Sequence, residues 1–197
     1  MLSLHLSRIR NAGVFSTDLS TIAFLVGLDV AARLLPHAPD FTPVAATALF
    51  AASVLRARAL AVLVPVLGML IGDAVLGSYD ARVMAVVYAA LALPACTASL
   101  SSRLRRRHAI LPMLLASSLM FFLVTNFAVW AFSPMYARDA AGLVKCYVAA
   151  LPFLRNMVAG DLFWGLLLFG GYWLAQKLHA AKAGELSAAA IRPQGQF

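Results

Sequence analysis

Long apolar runs separated by short polar segments dominate this sequence. Of its 197 residues, 62% are hydrophobic and 12% are charged. Soluble domains are about half apolar and about a quarter charged, so the chain is too apolar to fold as a soluble domain. The pattern predicts an all-α integral membrane protein with a single domain over residues 1–182.

Six of the runs are candidates for membrane-spanning helices. We predict spans over residues 19–35, 43–55, 59–76, 82–100, 110–132 and 157–178. The run 43–55 is short, because about 1.5 Å per residue gives roughly 20 Å against a hydrocarbon core of roughly 30 Å. It reaches across if the loop before it dips into the protein.

Three further segments lie outside these spans. Residues 1–16 have apolar residues on one helical face, which predicts a short helix at the membrane interface. Residues 140–153 are apolar at helical spacing inside a longer connection, 133–156, which favours a surface or re-entrant helix. Residues 183–197 are rich in Ala, Gly and Gln, which predicts a disordered cytoplasmic tail.

The basic residues are distributed unequally between the two sides of this arrangement. Six spans place both termini on one side, together with the cluster Arg103, Arg105, Arg106 and Arg107. The positive-inside rule therefore predicts cytoplasmic termini. The net charge is +8, but the basic residues lie at the ends of apolar runs. This placement favours lipid headgroups over nucleic acid as the partner.

Polar and aromatic residues gather at the predicted outer ends of the spans. Pro36, Pro39 and Pro43 forbid a continuous helix between the first two spans, and they bracket a polar loop. Interfacial anchors, helix caps and structural ion pairs are one explanation for this gathering. The other is a bowl for a polar ligand, with candidate ligand-binding residues Asp40, Phe41, Asp73, Ser78, Tyr79, Asp80, Asn126, Trp130, Arg155 and Asn156.

The first span carries two patterns with a spacing of four residues. Ala23, Gly27 and Ala31 form a small-residue stripe on one face, which allows close approach of a helix, either inside the bundle or from a partner protein. Asp29 and Arg33 can pair along the same helix.

Motifs of soluble enzymes are missing from the sequence. It contains no phosphate-binding Gly-x-x-x-x-Gly-Lys, no His-Glu-x-x-His and no Gly-x-Ser-x-Gly. Cys96 and Cys146 lie in different segments and predict neither a disulfide framework nor a metal site. Asp73, Asp80 and Asp161 remain candidates for an intramembrane enzyme, although acids that share a proton must meet within the membrane.

Four blocks of the sequence resemble a family of small bacterial membrane proteins. The blocks are RLLPHAPDFTPVAATALFA, IGDAVLGSYDARVM, FFLVTNFAVW and CYVAALPFLRNMVAGDL, within residues 17–178. They resemble the substrate-binding (S) components of energy-coupling-factor (ECF) vitamin transporters, in particular the solitary cobalamin-transporter-like members. The resemblance implies a six-helix S-component-like bundle with an outward-facing vitamin site and cytoplasmic termini.

The resemblance also implies a ligand and a partner. Cobalamin or a related corrinoid is the expected transported ligand, and no cofactor is required. Ala23, Gly27 and Ala31 match the stripe that contacts the coupling module, which consists of a transmembrane subunit and ATPases. Cobalamin-type members have a cysteine in the third loop, whereas this chain has Gly77-Ser78-Tyr79-Asp80. Serine is a poor soft ligand, so Ser78 and His37 are only the nearest candidates for the cobalt of a bound corrinoid.

We therefore expect vitamin uptake across the inner membrane, with cobalamin or a related corrinoid as the ligand. An S-component-like transporter for a different vitamin, an intramembrane enzyme that uses outer-face aspartates, and a structural or assembly factor are the alternatives.

Overall fold

The computed structural model describes the backbone of residues 2–100 and 107–191 and the side chains of residues 17–98 and 108–184. Its helices are α1 (Leu2–Leu34), α2 (Val44–Val54), α3 (Leu63–Leu76), α4 (Ala81–Leu100), α5 (Ile110–Phe132), α6 (Ala140–Gly165) and α7 (Gly171–Ile191). A 3-10 turn, Arg58–Val62, leads into α3, and a π-helical turn, Leu166–Gly170, joins α6 and α7 into one rod. The predicted all-α class is confirmed for this part of the chain.

Within the described residues, four helical segments are long and apolar enough to cross a membrane. They are Arg58–Leu76, Ala81–Ala98, Ile110–Phe132 and Ala140–Gly184. Helix α2 has 11 residues, or about 16 Å, which is too short to cross the hydrocarbon core alone. The segments agree with the prediction of a membrane protein.

Hydrogen bonds between α1 and α2 show that the two helices run in opposite directions. Near the start of the described part of α1, the Asp18 carboxylate accepts the backbone N–H groups of Arg56 and Ala57, which follow α2. Farther along α1, the Asp29 carboxylate accepts the Thr47 hydroxyl near the start of α2.

Later helices also reverse direction at each connection. The Tyr88 hydroxyl of α4 donates to Asp73 of α3, and Arg82 at the start of α4 donates to the carbonyl of Phe132 at the end of α5. One end of the bundle therefore carries the α1–α2, α3–α4 and α5–α6 connections. We call it the rim end; it consists of residues 35–43, 77–80 and 133–139.

Local chemistry sets the turns at the rim end. Gly77 ends α3 with a φ of 101°, a backbone conformation that residues other than glycine rarely adopt. Asp80 caps α4 by accepting the N–H of Arg82 at 2.9 Å. Asp139 caps α6 by accepting the N–H of Gly142 at 2.6 Å.

Helix α6 begins at Ala140, so the helix that contains the predicted last span starts well before residue 157. The connection is residues 133–139 alone, and the predicted surface helix continues without interruption into the span. Pro152 lies inside α6, where a proline removes one backbone hydrogen bond and kinks a helix without having to end it. Arg155 and Asn156, which were predicted at the outer end of a span, therefore lie within α6.

Both ends of the chain are more helical than the sequence predicts. The backbone of α1 runs from Leu2 to Leu34 without a break between the predicted interfacial helix and the first span. Helix α7 extends to Ile191, past the start of the predicted disordered tail. Residues 192–197 and Arg103, Arg105 and Arg106 of the arginine cluster lie outside the described residues.

Two glycines bring α3 close to α1. A Cβ atom on Gly68 would lie 2.8 Å from the Cβ of Asp29, and one on Gly72 would lie 2.5 Å from the Nε of Arg33. The Gly-x-x-x-Gly spacing is a common device for close helix packing in lipid. The α1–α3 seam fixes the position of Arg33 beside the cavity described below.

Candidate functional site

A cavity of about 380 Å³ lies between α4, α5, α6 and the α1–α2 connection. Its volume falls near the lower end of the roughly 300–1,000 Å³ typical of small-molecule sites. One wall is a face of α4, formed by Val83, Val87, Ala90, Leu91 and Pro94. The polar lining residues are Arg33, Asp40, Thr42, Tyr79, Ser117, Ser118, Thr125, Asn126 and Asp161.

Asp40 and Tyr79 mark the mouth of the cavity at the rim end, where both are exposed. Asp40 has a φ of 61°, which aspartate tolerates better than most residues. The protein around its carboxyl displaces water and raises the pKa of Asp40 above its ordinary value, against the opposing charges of His37 and Arg33. Loss of water and the nearby charge of Asp73 also raise the pKa of Tyr79, so its hydroxyl remains a hydrogen-bond donor.

Arg33 and Asp73 form an ion pair at one side of the cavity, with Nη2 and Oδ1 2.6 Å apart. The Tyr88 hydroxyl donates to the other oxygen of Asp73 at 3.0 Å, and Nη1 of Arg33 contacts the sulfur of Met69 at 3.0 Å. Both oxygens of Asp73 are thus bonded. Arg33 pairs across helices with Asp73, whereas the sequence predicts a pair with Asp29 on the same helix.

Asp161 lies at the floor of the cavity and is only 2% exposed. Its Oδ2 accepts the Ser118 hydroxyl at 2.6 Å. Ser118 is 14 residues before the end of α5, or roughly 20 Å along the helix from the rim end. Among the described side chains no other hydrogen bond or ion pair reaches this carboxylate.

Two hydroxyl groups that line the cavity donate to their own helix. Ser117 donates to the carbonyl of Met113, and Thr125 donates to that of Phe121, each at 2.8 Å. A hydroxyl has one proton and two lone pairs, so these oxygens can still accept a hydrogen bond. The cavity lining therefore presents acceptors to whatever occupies the cavity.

Three of the ten candidate ligand-binding residues line the cavity: Asp40, Tyr79 and Asn126. Trp130 instead donates its indole N–H to the carbonyl of Ala137 inside the rim. Ser78 is exposed outside the cavity, and Arg155 and Asn156 are on α6 without lining it.

Two more candidates have structural contacts. Phe41 packs its ring 5.7 Å from that of Phe163, and its Cα would lie 3.1 Å from a Cβ placed on Gly160. The α1–α2 connection, residues 35–43, which we call the rim loop, thus rests on the middle of the α6–α7 rod. Asp80 forms an exposed ion pair with Arg82, 3.0 Å between Oδ2 and Nη2.

The aspartates of the enzyme hypothesis have different partners. Asp73 is bonded to Arg33, Asp80 to Arg82, and Asp161 to Ser118. Proton sharing requires two of the acids to contact each other, and none of these contacts joins two of the three.

Sequence reasoning named Asp161 among the acids of the outer face, whereas it lies at the floor of the cavity, and it did not assign Ser117, Ser118 or Thr125 to the site. Ser117, Ser118 and Thr125 look like ordinary polar residues in an apolar span, since serine and threonine often bond their own helix. Two spacings were available as signals. Thr125 lies seven residues after Ser118, and Met157 and Asp161 are four apart, so each pair shares a helix face.

The small-residue stripe of α1 faces away from the bundle. Ala23, Gly27 and Ala31 are all exposed, and a Cβ on Gly27 would meet no atom within 4 Å. Packing inside the bundle, one of the two explanations for the stripe, is therefore not its role among the described residues.

The candidate cobalt ligands lie outside the cavity. The His37 Nδ1 is 2.7 Å from the carbonyl oxygen of Leu35, and neither His37 nor Ser78 lines the cavity. Within the described residues, no three His, Cys, Asp or Glu side chains form a group that could hold a metal ion.

Comparison with known proteins gives one match. A family model described as a family of unknown function (DUF6580) matches residues 15–183. No curated protein and no solved structure matches the chain.

Proposed function

Since this chain belongs to DUF6580, a family of unknown function, we propose its role from its own geometry: it binds a small molecule of vitamin size at the rim end and mediates the uptake of that molecule. The cavity of about 380 Å³ is the observation that carries the proposal. It combines apolar walls with a few polar groups at the mouth and the floor, which is the usual composition of small-molecule sites.

In this proposal the bundle crosses the bacterial inner membrane six times. The rim end faces outward, and both termini are cytoplasmic, in accord with the positive-inside rule. The short α2 completes its crossing because the rim loop dips into the protein and rests against Gly160.

The size of the cavity bears on the identity of the vitamin. An intact corrinoid is much larger than a drug-sized ligand, and about 380 Å³ is near the lower end of sites for drug-sized ligands. The volume therefore favours a vitamin or related metabolite smaller than cobalamin. Uptake of cobalamin itself would require the helices around the cavity to separate.

The exposed stripe of α1 supports a partner for the uptake step. Ala23, Gly27 and Ala31 leave a shallow apolar surface on which another membrane helix can lie closely. We propose that an ECF-type coupling module, a transmembrane subunit with ATPases, docks on this surface.

Two neighbouring alanines of α6 allow a direct test. Ala150 lines the cavity, whereas Ala149 is exposed on the outside of the helix. We expect mass spectrometry of the purified protein to find a co-purifying small molecule in the wild type and in Ala149→Phe, and to find it lost in Ala150→Phe. Cells should likewise take up the identified compound with the wild type and Ala149→Phe, and should lose this uptake with Ala150→Phe.

The outcome that contradicts the proposal is equally specific. If the wild type retains no small molecule and does not restore vitamin uptake in auxotrophic cells, ligand uptake is not its role. Equal retention by Ala150→Phe and Ala149→Phe would place the ligand outside the cavity.

A further inference from the structure

The floor of the cavity has an acidic side chain without a positive partner. Asp161 is only 2% exposed, and its one described polar contact is the Ser118 hydroxyl. A buried charge is costly unless an opposite charge or several hydrogen bonds compensate for it. A carboxylate has about four acceptor positions, so most of those on Asp161 are left for a ligand.

The charges around the cavity do not balance. Arg33 is the one cation among the described lining residues, and Asp73 holds it at 2.6 Å. Asp40 at the mouth and Asp161 at the floor remain without an ion-pair partner among the described residues. A molecule that travels from mouth to floor therefore meets two acids and no free base.

The neighbouring groups favour a hydrogen-bond donor. The protons of Ser117 and Thr125 go to backbone carbonyls. The Ser118 hydroxyl lies 2.6 Å from Asp161 and 3.1 Å from the carbonyl of Leu114, and its one proton serves these acceptors. All three oxygens therefore offer lone pairs. The walls near the floor include the rings of Phe121 and Phe122, and aromatic faces attract cations.

We propose that the ligand of this cavity is an organic cation, a small amphipathic molecule whose ammonium-type group binds the Asp161 carboxylate beside Ser118. The proposal rests on the proposed function and specifies its substrate class. The positive group supplies the missing counter-charge at the floor, and the apolar part of the molecule fills the space against α4. An anionic ligand would meet Asp40 and Asp161 and is rejected.

Three probes of similar shape and different charge test this proposal. Tryptamine is a cation, tryptophol is its neutral counterpart, and indole-3-acetate is the anion. We expect calorimetric titration of the full-length protein in nanodiscs to show tryptamine binding about tenfold or more tighter than either of the others. In Asp161→Asn the ratio of the affinity for tryptamine to that for tryptophol should fall to about one, with the affinity for tryptophol unchanged.

A matched control lies on the same helix. Asp139 is exposed and caps α6, a role that asparagine also performs. Asp139→Asn should therefore keep the full preference for tryptamine. Unchanged helical circular dichroism of both variants excludes unfolding as the cause of any loss.

The two proposals can fail separately. If tryptophol or indole-3-acetate binds as well as tryptamine, or if Asp161→Asn keeps the preference, the cation assignment is overturned while ligand binding stands. If none of the three probes binds with a dissociation constant below about 10 mM, the cation assignment is also overturned. The co-purification result from Ala150→Phe then decides whether the cavity binds anything else.

Discussion

The ion pair at the α1–α3 seam and the carboxylate at the cavity floor are both buried in the same bundle, yet their surroundings differ. Asp73 has Arg33 on one oxygen and Tyr88 on the other. Asp161 has Ser118 on one oxygen and no described hydrogen-bond or ion-pair partner on the other. Both carboxylates are nearly inaccessible, at 5% and 2% exposure.

The contrast separates a structural charge from an available one. A buried charge whose hydrogen bonds are complete holds helices in a fixed arrangement and has nothing left to offer a ligand. A buried charge with unused acceptor positions is costly to the folded protein, and intramembrane charges of this kind usually mark substrate or ion pathways. The two aspartates therefore predict opposite responses to mutation.

The largest expected effect is the loss of stability in Asp73→Asn. Removing one partner of a buried ion pair leaves the other charge uncompensated, and we expect the free energy of unfolding to fall by about 3 kcal/mol. Asp161→Asn keeps a group that can bond Ser118 and removes an unpaired charge, so its change should stay below about 1 kcal/mol. Chemical unfolding in detergent measures both. Equal losses would mean that the two acids have the same structural role.

A smaller effect is expected from the seam that holds Arg33 in place. Gly68→Ala puts a methyl group 2.8 Å from the Cβ of Asp29, an atom that cannot move without its helix. We expect a loss of about 1–3 kcal/mol, as for other overpacked cores. Gly27→Ala is the control, since its new Cβ meets nothing within 4 Å and alanine gains up to about 1 kcal/mol in a helix. The same chemical unfolding measurement compares them, and an unaffected Gly68→Ala would show that α1 and α3 are not tightly packed.

The smallest effect is expected at the exposed pair of Asp80 and Arg82. Hydrogen bonds from the side chain and backbone of Arg82 lower the pKa of Asp80 to about 2. Because this pKa is lower in the folded protein, the stabilisation is complete above about pH 4 and is lost as the pH falls through about 2. The stability difference between the wild type and Asp80→Asn should be small, and it should shrink over that pH interval. A constant difference in pH-dependent unfolding would show that the charge of Asp80 does not contribute.

The sequence predicts the bounds of the middle helices closely and the start of α6 poorly. Expected spans 59–76, 82–100 and 110–132 correspond to Arg58–Leu76, α4 and α5, because uniform apolar runs bounded by polar turns have one physical solution. The sequence predicts a break before residue 157 because Pro152, Arg155 and Asn156 look like loop residues, whereas α6 runs through them. Their helical state depends on the cap at Asp139 and on packing against α5, and neither effect is local to them.

The site was only partly predictable for a related reason. A sequence shows which residues lie near the end of a helix, and this located Asp40, Tyr79 and Asn126 at the cavity. It does not show which partner a charge selects across the bundle. Arg33 forms its ion pair with Asp73 and not with Asp29 of its own helix. Asp161 is hydrogen-bonded to Ser118, which is 43 positions away in the sequence. Such pairings follow from the tertiary arrangement of helices.

The shortness of α2 has a consequence for the membrane itself. Residues 35–43 lie outside any helix, and they rest on Gly160 in the middle of the α6–α7 rod. Peptide groups that no helix satisfies cannot face hydrocarbon, so those of this loop must be covered by protein or by water. In the orientation we propose, with the rim end outward, water beside this loop would form a hydrated indentation next to α2, and a solute from outside the cell would cover part of the membrane thickness before it meets the protein's interior.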